Sequence, residues 1–223
     1  MWAKGFGGAG MQRGHRVAAS SSGDVYVAGT FEGSIDLGGG ALESHGGTDV
    51  FVAKLDGSGA HLWSVALGDA LAEETFGLTV RSDGNVVVSG SFEGAVDFGG
   101  GVLSSAGDSD GFVVALDPTS GAHICSSRVG GPGYDVVSAV AAEDDGDTDI
   151  IGMFGATADL GAVDWWALAS ATSSMHGSAG ASPSSAPASA VPVTITAGAS
   201  PPCPAVWCWA WTPTAPWTSG AGR

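Results

Sequence analysis

The chain of 223 residues contains a degenerate internal repeat of about 61 residues. The segment WAKGFGG at Trp2 returns as WSVALGD at Trp63 and again, with a cysteine in the tryptophan position, as CSSRVGG at Cys125. Self-similarity at a fixed period of this length is typical of proteins built from repeated supersecondary units. The repeat therefore constrains the fold more than any single motif does.

Two further motifs recur in the same order within each copy. The sequence VYVAGTFEGSIDLG at 25–38 matches VVVSGSFEGAVDFG at 86–99, and DVFVAKLD at 49–56 matches DGFVVALD at 110–117. The third copy weakens after IIGMFG at 150–155. We divide the chain into two complete repeats, a partial third and a tail of different composition, at 2–62, 63–124, 125–161 and 162–223.

The apolar stretches inside a copy are short, β-branched or aromatic, and separated by glycine, serine and aspartate. With 38 glycines and 13% charged residues, amphipathic helices are disfavoured. Strands are predicted at 16–19, 25–31, 50–55 and 62–67. Four strands per repeat are typical of a propeller blade, whereas solenoid repeats are usually shorter. The predicted fold is all-β, an incomplete β-propeller of four-stranded blades with a disordered or non-native C-terminal tail.

The three motifs together carry a family resemblance. Trp-x-x-x-Phe-Gly-Gly, then Val-Tyr-Val-Ala-Gly-Thr-Phe, then Asp-x-Phe-Val-Ala-Lys-Leu-Asp resembles the SBBP family, the bacterial β-propeller repeat of large secreted or cell-surface proteins. The resemblance covers residues 2–161, approximately. It implies an extracellular or cell-surface location and a binding or structural role, and it supplies no catalytic residues.

From this resemblance we expect a non-enzymatic repeat module that serves in binding, scaffolding or adhesion. Its partners would be an unknown protein or carbohydrate, together with further propeller blades of a longer protein. Two alternatives remain open at this point. The chain could be a fragment of a propeller enzyme whose active site lies in other blades, or a non-functional frameshifted remnant.

The charge of the chain is strongly negative and unevenly distributed. The formal net charge is −16, and beyond Asp164 the only charged residue is Arg223. Such a field repels phosphates and anionic lipids, so nucleic acid is not an expected partner. No apolar run has the length of a transmembrane helix, and the opening Met-Trp-Ala-Lys does not resemble a signal peptide. Because Met1 directly precedes a repeat boundary, we expect a fragment of a longer protein.

The tail at 162–223 is rich in alanine, serine and proline and contains six of the eight tryptophans, counting Trp165 and Trp166. Tryptophan has a single codon, so the junctions around the C-terminal tryptophans fix several residues of the shifted reading frame. Those junctions specify Val-Leu-Gly and, further on, two aspartates, which echoes residues 87–99. We interpret the tail as out of frame, with a shift between about Gly161 and Trp165.

Candidate sites are few. Alternating carboxylates at Asp145, Asp147 and Asp149 make a weak Ca²⁺ candidate, since hard cations take oxygen ligands, but the remaining EF-hand ligands are lacking. His61 and His123 recur at one repeat position, which favours a structural turn residue over a ligand or acid/base group. We predict no catalytic residue and no cofactor-binding residue.

Overall fold

A computed structural model describes residues 1–143 and 148–155, together with the backbone of a strand at 206–211. The described part is all-β. It contains no helix, and therefore no helix that is long and apolar enough to span a membrane. The strands are β1 Gln12–Ala19, β2 Val25–Phe31, β3 Ser34–Asp36, β4 Ala41–Glu43, β5 Asp49–Leu55, β6 His61–Leu67, β7 Glu73–Val80, β8 Val86–Phe92, β9 Ala95–Asp97, β10 Val102–Ser104, β11 Asp110–Leu116, β12 His123–Val129, β13 Val136–Ala142, β14 Thr148–Met153 and β15 Val206–Trp211.

Two antiparallel four-stranded sheets of the same topology span residues 12–67 and 73–129, offset from the repeats because β6 and β12 cross the repeat boundaries at 62/63 and 124/125. The first has the strand order β1-β2-β5-β6, and the second has the equivalent order β7-β8-β11-β12. Each sheet is an up-and-down meander in which the first strand carries a bulge, between Gly14 and Arg16 or between Thr75 and Gly77. The four strands predicted per repeat are confirmed, with β1 beginning earlier than expected.

The third sheet contains β13, β14 and β15. β13 and β14 pair antiparallel like the first two strands of the other sheets, whereas β15 runs parallel to β14 in the position that β5 and β11 occupy. The rest of the tail lies outside the described residues, so the prediction of a disordered or non-native tail falls on residues that the structure does not describe.

Each complete sheet carries a small hairpin that the sequence did not predict. β3 pairs with β4, and β9 with β10, between the second and third strands of their sheets. The hairpins bury Ile35 and Leu37 in the first copy, and Val96 and Phe98 in the second. Their strands have three residues each, which is too short to show an alternating pattern.

The sheets pack face to face, and we name the two faces of each sheet the A face and the B face. The A face of the first sheet carries Phe31 and Ala53, and its B face carries Tyr26, Val52 and Trp63. The first junction packs this B face on the A face of the second sheet, and the second junction repeats the arrangement with the third sheet. Both junctions bury continuous apolar cores, which provide most of the favourable free energy of stacking.

Candidate functional site

The first junction is fixed at its outer edge by a tryptophan. The Trp63 indole Nε1 donates to the carbonyl oxygen of Pro118 at 3.1 Å, and the same oxygen accepts from Lys54 Nζ at 2.9 Å. The indole covers Gly121, whose φ is +74°, and a Cβ there would lie 2.7 Å from the ring. The turn between β11 and β12 thus needs glycine both for its backbone conformation and to receive the tryptophan.

The same contact occurs one repeat earlier. Trp2 Nε1 donates to the carbonyl oxygen of Gly57 at 3.0 Å, and its ring covers Gly59. Trp63 is 6% exposed, whereas Trp2 is 39% exposed. Residues 2–7 therefore lie against the first sheet as β6 lies against the second, but without the rest of a preceding sheet among the described residues.

The recurring histidines have matching contacts. His61 Nε2 lies 3.0 Å from Ser64 Oγ, and His123 Nε2 lies 3.1 Å from Ser126 Oγ. Each ring packs on the triple-glycine turn of the hairpin, so closely that a Cβ on Gly39 would lie 2.1 Å from His61 Cε1. Burial lowers the pKa of His123. These contacts support a structural role for the pair.

Two fully buried carboxylates lie beside each sheet junction. Asp49 and Glu73 flank Gly68 in the first, and Asp110 and Asp135 flank Gly130 in the second; all four residues are 0% exposed. Each carboxylate accepts the backbone N–H of the residue four positions earlier. The donors are His45 at 2.8 Å, Asp69 at 3.0 Å, Ala106 at 3.0 Å and Gly131 at 2.8 Å.

The two junctions differ in their countercharge. Arg128 Nη1 lies 2.7 Å from Asp110 Oδ2, and Arg128 pairs with Phe112 in the strand register. Phe51 occupies the equivalent place in the first sheet, and its partner there is Ala66. Buried carboxylate oxygens without a hydrogen-bond partner occur in both junctions: Asp49 Oδ1 and Glu73 Oε1 in the first, and Asp110 Oδ1 in the second.

The first junction has no arginine at this place, although His45 Nδ1 lies 3.3 Å from Asp49 Oδ2, and this difference affects the protonation of the junction. Burial, together with the negative charges of Asp49, Asp69 and Glu93, raises the pKa of Glu73 to about 7. Burial also raises the pKa of Asp49, against the hydrogen bonds and charge contributed by His45. A buried carboxyl with no cation beside it is more stable in its neutral form.

A shallow polar depression lies where β1 and β2 approach the start of β7. His15 Nε2 lies 3.1 Å from Thr30 Oγ1, and Thr48 Oγ1 donates to Glu32 Oε1 at 3.2 Å. The residues that line the depression are Met11, Arg13, His15, Thr30, Phe31, Glu32, Thr48 and Glu74. Its charged and hydroxyl groups suit a small polar ligand better than an apolar one.

The predicted Ca²⁺ ligands are only partly described. Asp145 and Asp147 lie outside the described residues, and Asp149 is on strand β14, where it pairs with Ala141. Within the described ranges no three or more His, Cys, Asp or Glu side chains come together in a way that could hold a metal ion.

The buried acids are the functional groups that sequence reasoning missed. Asp49 and Asp110 recur in the DxF motif, so a signal was present, but charged residues are usually solvent-exposed and burial was not expected. Glu73 and Asp135 have no common sequence context, because one lies in AEETF and the other in GYDVV.

Comparison with known proteins assigns no family. No protein-family model matches the chain, and no curated protein matches it in sequence. The SBBP resemblance therefore stays a prediction.

Proposed function

We propose that this chain is a non-enzymatic repeat module of a secreted or cell-surface β-propeller protein, and that its sheets are successive blades that serve in binding, scaffolding or adhesion. The observation that carries the proposal is the repetition of one junction. At both junctions the B face of one sheet packs on the A face of the next. Each junction has the repeat position of Trp63 at its outer edge and a pair of buried acids beside it. Modules that stack by one repeated contact form extended or closed arrays.

The arrangement of the strands supports blades over a flat sandwich. The first strands of neighbouring sheets, β1, β7 and β13, lie close to one another, while the hairpins widen each sheet near its other edge. Sheets packed in this way are arranged radially, with their first strands toward the central axis, as propeller blades are. The polar depression at His15 is on this side, where propellers commonly bind ligands.

The chemistry of the exposed groups favours a cationic or hydroxyl-rich partner. A net charge of −16 attracts basic protein surfaces and repels polyanions. Carbohydrate is the other candidate partner, because the hydroxyls and carboxylates of the depression can hydrogen-bond to sugar hydroxyls. The recurring His and buried acids already have hydrogen bonds within turns, which supports structural roles for them.

The experiment builds the ring. Tandem copies of residues 12–129, joined by the sequence of residues 68–72 that links β6 to β7, supply six sheets, within the range of roughly 4–8 blades, and are imaged by electron microscopy. A closed ring is expected, and an open stack of parallel sheets would contradict the propeller. The ring is then applied to glycan arrays and to cationic protein surfaces.

The frameshifted-remnant alternative has its own test. The nucleotide sequence shows directly whether the shifted frame downstream of Gly161 encodes the repeat motif. A shifted frame with the motif would place residues 162–223 outside the functional protein, and a shifted frame without it would refute the frameshift.

A further inference from the structure

The two ends of the described stack are complementary to each other. At the first junction Leu78 is 9% exposed, while Val17, the equivalent residue of the first sheet, is 70% exposed. The two residues pair with Val88 and Val27, which occupy one repeat position. The A face of the first sheet is thus the type of surface that a B face covers elsewhere in the molecule.

The opposite end presents the matching surface. Ala28 and Ser89 lie on B faces inside the two junctions and are each 0% exposed, but Ile151 at the equivalent position of β14 is 49% exposed. The three residues are equivalent because each pairs with the residue that directly follows the bulge in the first strand of its sheet. An apolar side chain is therefore exposed at the position that the other two sheets bury.

The strand content of the two ends is also complementary. Residues 2–7 occupy the place of a fourth strand, because Trp2 makes the contact with Gly57 that Trp63 of β6 makes with Pro118. The third sheet has three strands among the described residues, where the first and second sheets have four. Residues 2–7 thus lie beside the first sheet without a sheet of their own among the described residues, and the described part of the third sheet has no fourth strand.

We propose that a second copy of this chain docks head to tail. The B face of the third sheet in one copy covers the A face of the first sheet in the next. The contact is heterologous, so it produces a closed ring or an open array. The inference rests on the sheet stacking of the proposed function.

The A face of the first sheet has a neutral residue at the position of Glu73. Gln12 occupies the strand position at which the second sheet has the buried Glu73, as their pairing with Phe31 and Phe92 shows. Its side-chain amide donates to the carbonyl oxygens of Ala9 and Gly10 at 2.9 and 3.0 Å. Docking at this end therefore buries a neutral amide where the first internal junction buries a carboxylate.

Three variants of the full chain test the contact by sedimentation and light scattering over a roughly 100-fold range of concentration. Val17→Asp and Ile151→Asp each place a charge in the contact, and each is expected to weaken self-association by roughly 100-fold or more. Val102→Asp is the matched control, since Val102 is 67% exposed on a hairpin away from both end faces. Circular dichroism verifies that all three variants fold.

Mixing distinguishes head-to-tail docking from other contacts. The Val17→Asp chain keeps an intact B face and the Ile151→Asp chain an intact A face, so an equimolar mixture is expected to recover a heterodimer. A symmetric contact between two A faces would respond to Val17→Asp alone and would not recover on mixing, and this result would overturn the proposal.

Two other results would also overturn it: a wild-type chain that stays monomeric at every concentration, or a Val102→Asp variant as defective as the other two. A monomer would leave the proposed function intact if tandem copies of residues 12–129 still close into a ring. Failure of both experiments would refute the stacking module itself.

Discussion

Glu73 makes the stability of the first junction dependent on pH. Its carboxyl is buried beside Asp49, and no arginine occupies the place that Arg128 has in the second junction. The pKa of Glu73 rises from an ordinary 4.5 to about 7 on folding. Because folding raises this pKa, the folded protein binds the proton more tightly than the unfolded chain, and the added stability is complete below about 4.5 and lost as the pH rises through about 7.

The magnitude follows from the size of the shift. One pKa unit corresponds to about 1.4 kcal/mol, so ionisation of Glu73 in the folded state costs about 3 kcal/mol. This is a large part of the roughly 5–15 kcal/mol that stabilises a typical domain. The Glu73→Gln variant keeps an oxygen that accepts the Asp69 N–H but carries no charge.

The assay is urea unfolding followed by tryptophan fluorescence between pH 5 and 8, since Trp63 is buried at the same junction. We expect the free energy of unfolding of the wild type to fall across this range. Glu73→Gln should match the wild type near pH 5 and exceed it by about 3 kcal/mol at pH 8.

The control is Glu43→Gln, which makes the same change in charge at an exposed position on β4. It should keep the wild-type slope. Asp49 also has a raised pKa and contributes a slope of the same sign, and because its charge raises the pKa of Glu73, the difference between wild type and Glu73→Gln reports Glu73 together with its coupling to Asp49. An equal slope in both proteins, or a wild type that becomes more stable toward pH 8, would refute the assignment.

Three further predictions concern single contacts. Arg128→Ala leaves a buried carboxylate without its cation, and chemical denaturation should show a loss of about 3–5 kcal/mol. Trp63→Phe removes a buried indole N–H donor and should lower the free energy of unfolding by about 1–3 kcal/mol, measurably more than Trp2→Phe at its half-exposed position. Gly39→Ala places a Cβ against a histidine ring and should lower the thermal midpoint, while Gly5→Ala, with nothing within 4 Å, should not; equal midpoints for the two alanine variants would contradict the close packing.

Much of the fold could be predicted because its signals repeat. The β2 and β8 segments are runs of β-branched and aromatic residues between turn residues, and two copies of each pattern reinforce one another. The runs of three glycines at 38–40 and 99–101 predict positive φ or a close approach to a neighbouring segment. Gly38 and Gly99 have φ of +102° and +109°, and Gly39 is covered by a histidine ring.

The rest depends on tertiary contacts that no local pattern encodes. The strands of the β3–β4 and β9–β10 hairpins are three residues long, and they are stabilised by the sheet beneath them. The burial of Glu73 arises only when the second sheet docks on the first. Its lack of an arginine countercharge follows from alanine at residue 66, the position at which the second sheet has Arg128.

The hairpins also bear on how this surface can vary in evolution. Their turns are fixed by hydrogen bonds within the hairpin: Asp36 Oδ1 accepts the N–H groups of Gly38 and Gly40 at 2.7 and 3.2 Å, and Asp97 repeats the pattern in the second copy. Their outward side chains, Val102 among them, take no part in that support. The hairpins therefore form a rigid display surface on which new recognition residues can arise without loss of the fold.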